Sequence, residues 1–307
     1  GEEGVEDEEV QSVRCSGNMK KRLFQSLVVL VVFVYFAVGV LLFVFQGRLL
    51  FPGTWLPNPA GSELDVTVLL VNDTLDVPSG VVFRMFYTKP SAGNDKFDEV
   101  VIFFGGNAEL EKTLRYRAKT FARYGYRTLA VEYPGYGETP GDPELVSISH
   151  VADSAARYAR SMARSAAVYA VGSSIGTYSA MRVHAKGYVA KSLLVAPFMS
   201  LPEVAGNLYW FYPVKPLMSS KYNFNSEEAV KNMTKSHCKY PTTLIIHGDA
   251  ETIVPYTFGE TVARELGKCC ELIKAIGHGH NDIPLTLGGK FGLEIASFLE
   301  DKRNLNQ

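Results

Sequence analysis

From Leu27 to Phe45 the chain runs for 19 residues without a charge, and nearly all of them are Val, Leu, Phe, Tyr or Ala. No other feature restricts the possible folds as strongly. As a helix rising about 1.5 Å per residue, the run is roughly 28 Å long, close to the hydrocarbon thickness of a bilayer. A helix inside a soluble domain rarely lacks a polar face over five turns. A cleavable leader has a shorter apolar region ending in small residues, whereas this one ends Leu41-Leu42-Phe43-Val44-Phe45. Residues 23–46 are therefore expected to form a transmembrane anchor in contact with a lipid bilayer. Arg14, Lys20, Lys21 and Arg22 precede the run, and only Arg48 closely follows it. The positive-inside rule then predicts a single-pass type II protein. Residues 1–22, with Glu2, Glu3, Glu6, Asp7, Glu8 and Glu9, read as an acidic cytoplasmic tail, solvated and unstructured. Everything after Gln46 is expected on the lumenal or extracellular side of the endomembrane system. The sequons Asn72-Asp73-Thr74 and Asn232-Met233-Thr234 are compatible with that side. In an oxidising compartment Cys238 could bridge to Cys269 or Cys270, leaving one thiol over.

Charge narrows the function classes. Lys and Arg number 31 against 32 Asp and Glu, so the clustered basic excess of a nucleic-acid binder is missing. Residues 47–307 are long enough for one α/β domain with a substantial core. Apolar, β-branched runs occur at Leu64–Val71, Val81–Tyr87, Val100–Phe104, Thr128–Val131, Ala167–Val171, Ser192–Val195 and Thr243–Ile246. Helical patterns occupy Leu110–Tyr124, Leu145–Ala163, Ile175–Lys186, Thr257–Leu266 and Gly292–Lys302. Two strands without a helix between them predict an antiparallel start. The alternation afterwards predicts a mostly parallel, doubly wound sheet. Residues 197–242 interrupt the alternation and carry Leu208-Tyr209-Trp210-Phe211-Tyr212-Pro213. A segment of that length reads either as a lid or cap insert over a pocket or as a helix covering one sheet edge.

Gly172-Ser173-Ser174-Ile175-Gly176 reads G-x-S-x-G directly after a strand-like run and before a helix. That is the setting of a nucleophile elbow, in which the glycines let the backbone turn and expose the central Ser174 hydroxyl. Ser173 stands one step off the tip. In this arrangement an acid and then a His follow the Ser along the chain. Of six His, only His278 and His280 lie late, in the glycine-rich Gly277-His278-Gly279-His280-Asn281-Asp282. The acid should follow the strand that ends at Ile246, where Asp249 and Glu251 are both available. Val101 to Phe104 runs into Gly105-Gly106-Asn107-Ala108, so the backbone N–H groups of Asn107 and Ile175 are candidates for an oxyanion hole.

These motifs together resemble a known family. Phe51-Pro52-Gly53, Phe103 to Ala108, Glu132-Tyr133-Pro134-Gly135-Tyr136-Gly137, the elbow, His247-Gly248 through Val254-Pro255, and Gly279-His280-Asn281-Asp282 are similar to those of the membrane-anchored α/β-hydrolase-domain-containing proteins. This is the serine aminopeptidase-like group that includes members thirteen and seventeen and the bud-emergence-type hydrolases. The resemblance spans about Gln46 to Leu299 and implies an α/β-hydrolase fold. It implies Ser174 as nucleophile, His280 as base and Glu251 as acid, with Asp249 in reserve. Two positions depart from the family pattern: Glu251 stands where an Asp is usual, and Gly105 where a His is usual. A Ser–His–Glu triad is chemically sound because the acid only orients and stabilises the imidazolium.

His278-x-His280-x-Asp282 also matches the start of a metallohydrolase ligand motif, but Ile283 replaces its last His and no His or Cys follows. No metal and no cofactor is expected. The sequence thus predicts a membrane-anchored serine hydrolase cleaving an ester, thioester or amide of a small acyl or lipid substrate. Protein depalmitoylation, implied by one branch of the family, and a catalytically weak hydrolase-like scaffold are the alternatives.

Overall fold

The computed structural model describes residues 3–58, 66–73, 81–90, 98–235 and 238–301. Leu64 and Asp65 of the first strand-like run, Thr74 of the first sequon and His237 lie outside the described residues. The chain divides into two units, 1–46 and 47–307.

The first unit is helical. Helix α1 spans Glu3–Leu50, and its segment Met19–Leu50 is long and apolar enough to cross a membrane. The apolar side chains of 27–45 are mostly exposed around the whole helix. In lipid such a segment satisfies every backbone group internally. The acidic stretch differs from expectation, because it is helical from Glu3 onward. Extending an existing helix needs no new nucleus, so the tail continues the turn that the apolar run begins.

The second unit is built on an eight-stranded sheet of order β1-β2-β4-β3-β5-β6-β7-β8. The strands are β1 (Thr67–Asp73), β2 (Val81–Thr88), β3 (Val100–Phe104), β4 (Arg127–Val131), β5 (Val168–Ser173), β6 (Lys191–Val195), β7 (Thr243–Gly248) and β8 (Cys270–Ala275). β2 runs antiparallel to both β1 and β4, and the remaining pairings are parallel. The crossovers are α2 (Glu111–Ala122), α3 (Leu145–Ala163), α4 (Gly176–Ala185) and α8 (Tyr256–Leu266), with α9 (Gly292–Glu300) after the last strand.

Successive strand residues face opposite layers, and both layers are covered. Val100, Ile102 and Phe104 of β3 pack in one core with Ala155 of α3, Met181 of α4 and Val262 of α8. Val101 and Phe103 pack in the other with Leu114 and Phe121 of α2 and Ile295 and Phe298 of α9. Burial on both faces is why these strands read as continuous apolar runs. β8 is an edge strand whose Glu271 and Lys274 are exposed, so its sequence lacks that signature.

The long insert divides its duties. Helix α7 (Glu227–Thr234) buries Val230 and Met233 in the core shared with α4 and α8. Helices α5 (Leu201–Leu208) and α6 (Val214–Leu217) precede it. Leu201 and Val204 of α5 join Phe51, Tyr133, Tyr136, Ile175, Tyr178 and Phe224 in a third apolar cluster. A disulfide links Cys238 to Cys269, leaving the partly buried Cys270 free.

Candidate active site

In a parallel sheet the carboxyl ends of the strands share one edge, and crevices form there. β3, β5 and β7 deliver their following loops to that edge: 105–108, 174–175 and 249–254.

β5 ends at Ser173, and Ser174 takes a left-handed conformation with φ of 51°. Its N–H donates to Val195 O at 2.9 Å, and the Thr177 hydroxyl donates to its carbonyl at 2.6 Å. A non-glycine residue in this region is strained and persists only where its surroundings hold it. The flanking glycines serve differently from expectation. Neither has positive φ. A Cβ on Gly172 would lie 2.6 Å from Gly176 O, and one on Gly176 would overlap the carbonyl oxygens of Phe104 and Gly105. The glycines let β5 and α4 press against each other and against β3, while Ser174 itself makes the sharp turn.

Ser174 Oγ lies 3.0 Å from His280 Nε2, and His280 Nδ1 donates to Glu251 Oε2 at 2.5 Å. The Glu251 side chain has no exposed surface. Its other oxygen accepts from the N–H groups of Ile253 at 2.7 Å and Val254 at 3.2 Å. Burial alone would raise the Glu251 pKa, but the His280 and backbone hydrogen bonds outweigh it and hold the carboxyl below its ordinary 4.5. Asp249 is placed elsewhere. It is exposed, and its Oδ1 accepts from Gly277 N–H at 2.7 Å. His278 also turns away, with Nδ1 3.2 Å from Asp282 O and its ring edge-on to Phe291. Among the described residues, no three His, Cys, Asp or Glu side chains converge as a metal site requires.

On the other side of Ser174, the N–H groups of Asn107 and Ile175 have no acceptor among the described residues. The loop that carries Asn107 is held by its carbonyls. Tyr133 donates to Gly105 O at 2.6 Å and Tyr136 to Asn107 O at 2.5 Å. Burial raises both phenol pKa values, so both stay protonated donors. The Asn107 side chain donates to Leu50 O at 3.0 Å. The departure at Gly105 also has a physical reason. A Cβ there would sit 3.1 Å from the Glu109 side chain, whose carboxylate accepts from Gly106 N–H at 2.7 Å and pairs with Arg117 at 2.9 Å.

The turn bearing the two tyrosines is anchored by a buried ionic cluster. Arg84 of β2 pairs with the buried Glu132 at 2.9 Å and Glu111 at 2.6 Å, and with the exposed Glu138 at 2.6 Å. Glu132 Oε2 also accepts from the Thr139 hydroxyl at 2.7 Å, closing the 132–139 turn. Burial alone would lower the Arg84 pKa, but its carboxylate partners outweigh it and hold the guanidinium charged. The functional signal of this region was missed at the sequence level, although a lone Arg inside the apolar run Val81–Tyr87 marked the place.

Two cavities meet at Ser174. One is a cleft of about 440 Å³ with a mixed lining, in which Thr113, Arg117, His280 and Asn281 stand beside Val195 and Leu285. The second is an apolar slot of about 120 Å³ between Leu50, Ile175, Phe198, Val204 and Leu208. A strand–elbow–helix serine, a His after the last strand and an eight-stranded, mostly parallel sheet now stand together. The fold is that of the α/β hydrolases. Residues 108–238 match the sequence profile of the Alpha/beta hydrolase family. An uncharacterized protein of Mycobacterium tuberculosis strain H37Rv, Rv2307c, is 26% identical over 295 residues, covering 94% of this chain and 100% of that one. The esterase Pf2001 of Pyrococcus furiosus superposes with a TM-score of 0.60 at 16% identity, over 80% of this chain and 95% of that one. Est1E of Butyrivibrio proteoclasticus gives 0.56 at 17%, over 78% and 99%. XC6422 of Xanthomonas campestris, an α/β serine hydrolase without a lid, gives 0.51 at 16%, over 73% and 88%. Each is similar in fold. Across this α/β-hydrolase sheet, the serine, the His and the glutamate come from three separate strand ends.

Proposed function

We propose that the chain is a membrane-anchored serine hydrolase acting on acyl esters, thioesters or amides, with Ser174, His280 and Glu251 as its triad. The observation that carries this reading is the hydrogen-bonded series Ser174–His280–Glu251 at the mouth of an apolar slot. Glu251 accepts the Nδ1–H of His280 and so fixes the tautomer that leaves Nε2 free to accept. Ser174 Oγ attacks the substrate carbonyl carbon while its proton passes to His280 Nε2. The oxyanion that forms is met by the N–H groups of Asn107 and Ile175. Collapse expels the alcohol, thiol or amine, which takes the proton back from His280. Water then attacks the acyl-enzyme, His280 takes its proton, and release of the acid returns that proton to Ser174.

The apolar slot suits the acyl chain, and the wider cleft, with Arg117 and Asn281 on its wall, suits the leaving group. Topology belongs to the same proposal. The basic flank before the apolar run favours a type II orientation, and the Cys238–Cys269 disulfide favours an oxidising compartment. Both weigh against a cytosolic protein depalmitoylase. The intact relay weighs against a scaffold without activity.

Ser174→Ala is expected to abolish labelling by a fluorophosphonate probe and to lower ester turnover by several orders of magnitude, while Ser173→Ala keeps most of both. Equal labelling of Ser174→Ala and the parent protein sinks the assignment.

A further inference from the structure

The slot that reaches Ser174 has an apolar rim that is exposed among the described residues. Leu49, Leu208 and Ile253 line it and are 52%, 39% and 38% exposed. The chain then leaves α5 through Trp210 and Phe211, which are 82% and 60% exposed and pack edge to face at 6.1 Å. Scattered exposed apolar residues need no explanation, but a run of large ones at the mouth of a cavity does. Trp and Tyr are favoured at a membrane–water interface, where an apolar ring and a polar N–H or O–H are both accommodated. Segment 208–213 supplies the exposed Trp210 with the half-buried Tyr209 beside it, while Tyr212 is buried.

Chain connectivity says what covers this surface. Leu49 and Leu50, two walls of the slot, are the last residues of α1, the helix that contains the apolar run. Leu49 follows Phe45 by four residues, which along a helix is about 6 Å. A bilayer that holds residues 27–45 is therefore only a few residues away along the chain from Leu49 and Leu50.

We propose that the rim formed by Leu49, Leu208 and Ile253, with Trp210 and Phe211 beside it, docks on the bilayer interface, and that acyl chains pass from the membrane into the slot. The docking rests on exposure and connectivity. The passage of substrate rests in addition on the serine-hydrolase reading. In this arrangement the acyl chain never crosses water. It moves from lipid to the Leu49–Leu208 rim and then along Leu201 and Val204 to Ser174, with its polar head left on the cleft side. The surface distinguishes substrates already in the membrane from soluble esters, which can reach Ser174 through the wider cleft.

The chain contains only two tryptophans, Trp55 and Trp210, so one substitution isolates the reporter. Full-length Trp55→Phe protein, reconstituted in phosphatidylcholine vesicles, is measured with lipids brominated on the acyl chain and with acrylamide in the water. Trp210 fluorescence is expected to fall by at least half with the brominated lipid and to be shielded from acrylamide. A Trp210 open to acrylamide and untouched by brominated lipid overturns the docking. So does a Trp210 shielded from both quenchers, which is the signature of protein cover, a second copy included.

The double substitution Trp210→Ser with Phe211→Ser tests the passage. Turnover of a long-chain ester presented in vesicles is expected to fall about tenfold or more, with a water-soluble butyrate ester hydrolysed at the parent rate. Equal rates on the vesicle ester overturn the passage. If the parent protein hydrolyses neither ester, or Ser174→Ala hydrolyses both equally, the hydrolase reading falls and the passage with it, while the quenching result still decides the docking.

Discussion

The two loops that flank Ser174 are held in opposite ways. Loop 105–108 is held through charge: Arg84 with Glu111, Glu132 and Glu138 locks the 132–139 turn, and two phenols on that turn grip the carbonyls of Gly105 and Asn107. Loop 249–254 is held by one carboxylate, Glu251, and by a neutral ring behind it. His247 is fully buried, and its Nε2–H donates to Val254 O at 2.8 Å. Its Nδ1 has no partner among the described residues and points at Gly259, where a Cβ would overlap it. Burial lowers the His247 pKa below its ordinary 6.5, so the ring is neutral at physiological pH. One wall thus depends on a cluster of ion pairs around Arg84, and the other on the Glu251 carboxylate and on a ring that burial keeps neutral.

The largest expected effect lies on the wall that carries Glu251. Glu251→Gln should lower kcat by about four decades, because an amide can donate to Nδ1 and hold the wrong tautomer. Asp249→Asn, which alters only an exposed hydrogen bond to Gly277, should stay within a few-fold. Steady-state kinetics on a soluble ester measures both, and the reverse ranking reassigns the acid.

Next comes the charged wall. Arg84→Ala leaves Glu111 and Glu132 buried with fewer partners, and removing one member of a buried pair costs about 3–5 kcal/mol. Denaturant titration in detergent should show that loss, and an unchanged midpoint would mean that water replaces the guanidinium freely.

Tyr136→Phe is a smaller intervention on the same side. It removes one buried hydrogen bond, worth about 1 kcal/mol, from the carbonyl of Asn107. If that bond aims the Asn107 N–H at the oxyanion, kcat falls about five- to tenfold with KM within twofold. A change in KM alone would mean that the tyrosine shapes the slot instead.

The smallest effect is a slope. His247 has a folded pKa below its unfolded one, so the unfolded chain binds the proton first as pH falls. The stability it contributes is complete above about 6.5 and is lost as pH falls through the folded value. Glu251, also lowered, adds a second loss beginning below about 4.5. His247→Gln can still donate to Val254 O but does not titrate. Its Tm should therefore vary less between pH 6.5 and 4.5 than that of the parent protein. Parallel curves would mean that His247 does not drive this limb.

The same contrast explains what the sequence made legible. Val100–Phe104 and Leu145–Ala163 are predicted and observed with identical bounds, because burial on both faces or on one broad face leaves an apolar pattern with clear ends. β8 escaped because an edge strand needs to bury only part of each residue and can carry Glu271 and Lys274. Chain order pointed to Ser174, the late His pair and the acids Asp249 and Glu251, and the family resemblance implied Glu251, the carboxylate the fold brings to His280. The tyrosine grips were illegible because they join residues 28 and 29 apart in sequence across strand ends. A hydroxyl meeting a carbonyl leaves no periodicity. The role of Gly172 and Gly176 was misread for a related reason: close approach to another strand is a tertiary fact, while a turn is a local one.

The free Cys270 sits next in sequence to the bridged Cys269, an arrangement that invites scrambling. Exchange requires a thiolate, and burial, helped by the neighbouring Glu271, pushes the Cys270 pKa up to about 12. At pH 7 roughly one such thiol in 10⁵ is ionised. Once β8 has joined the sheet, the competing bridge from Cys270 to Cys238 is blocked kinetically. Wrong pairing is therefore favoured before that strand docks rather than after.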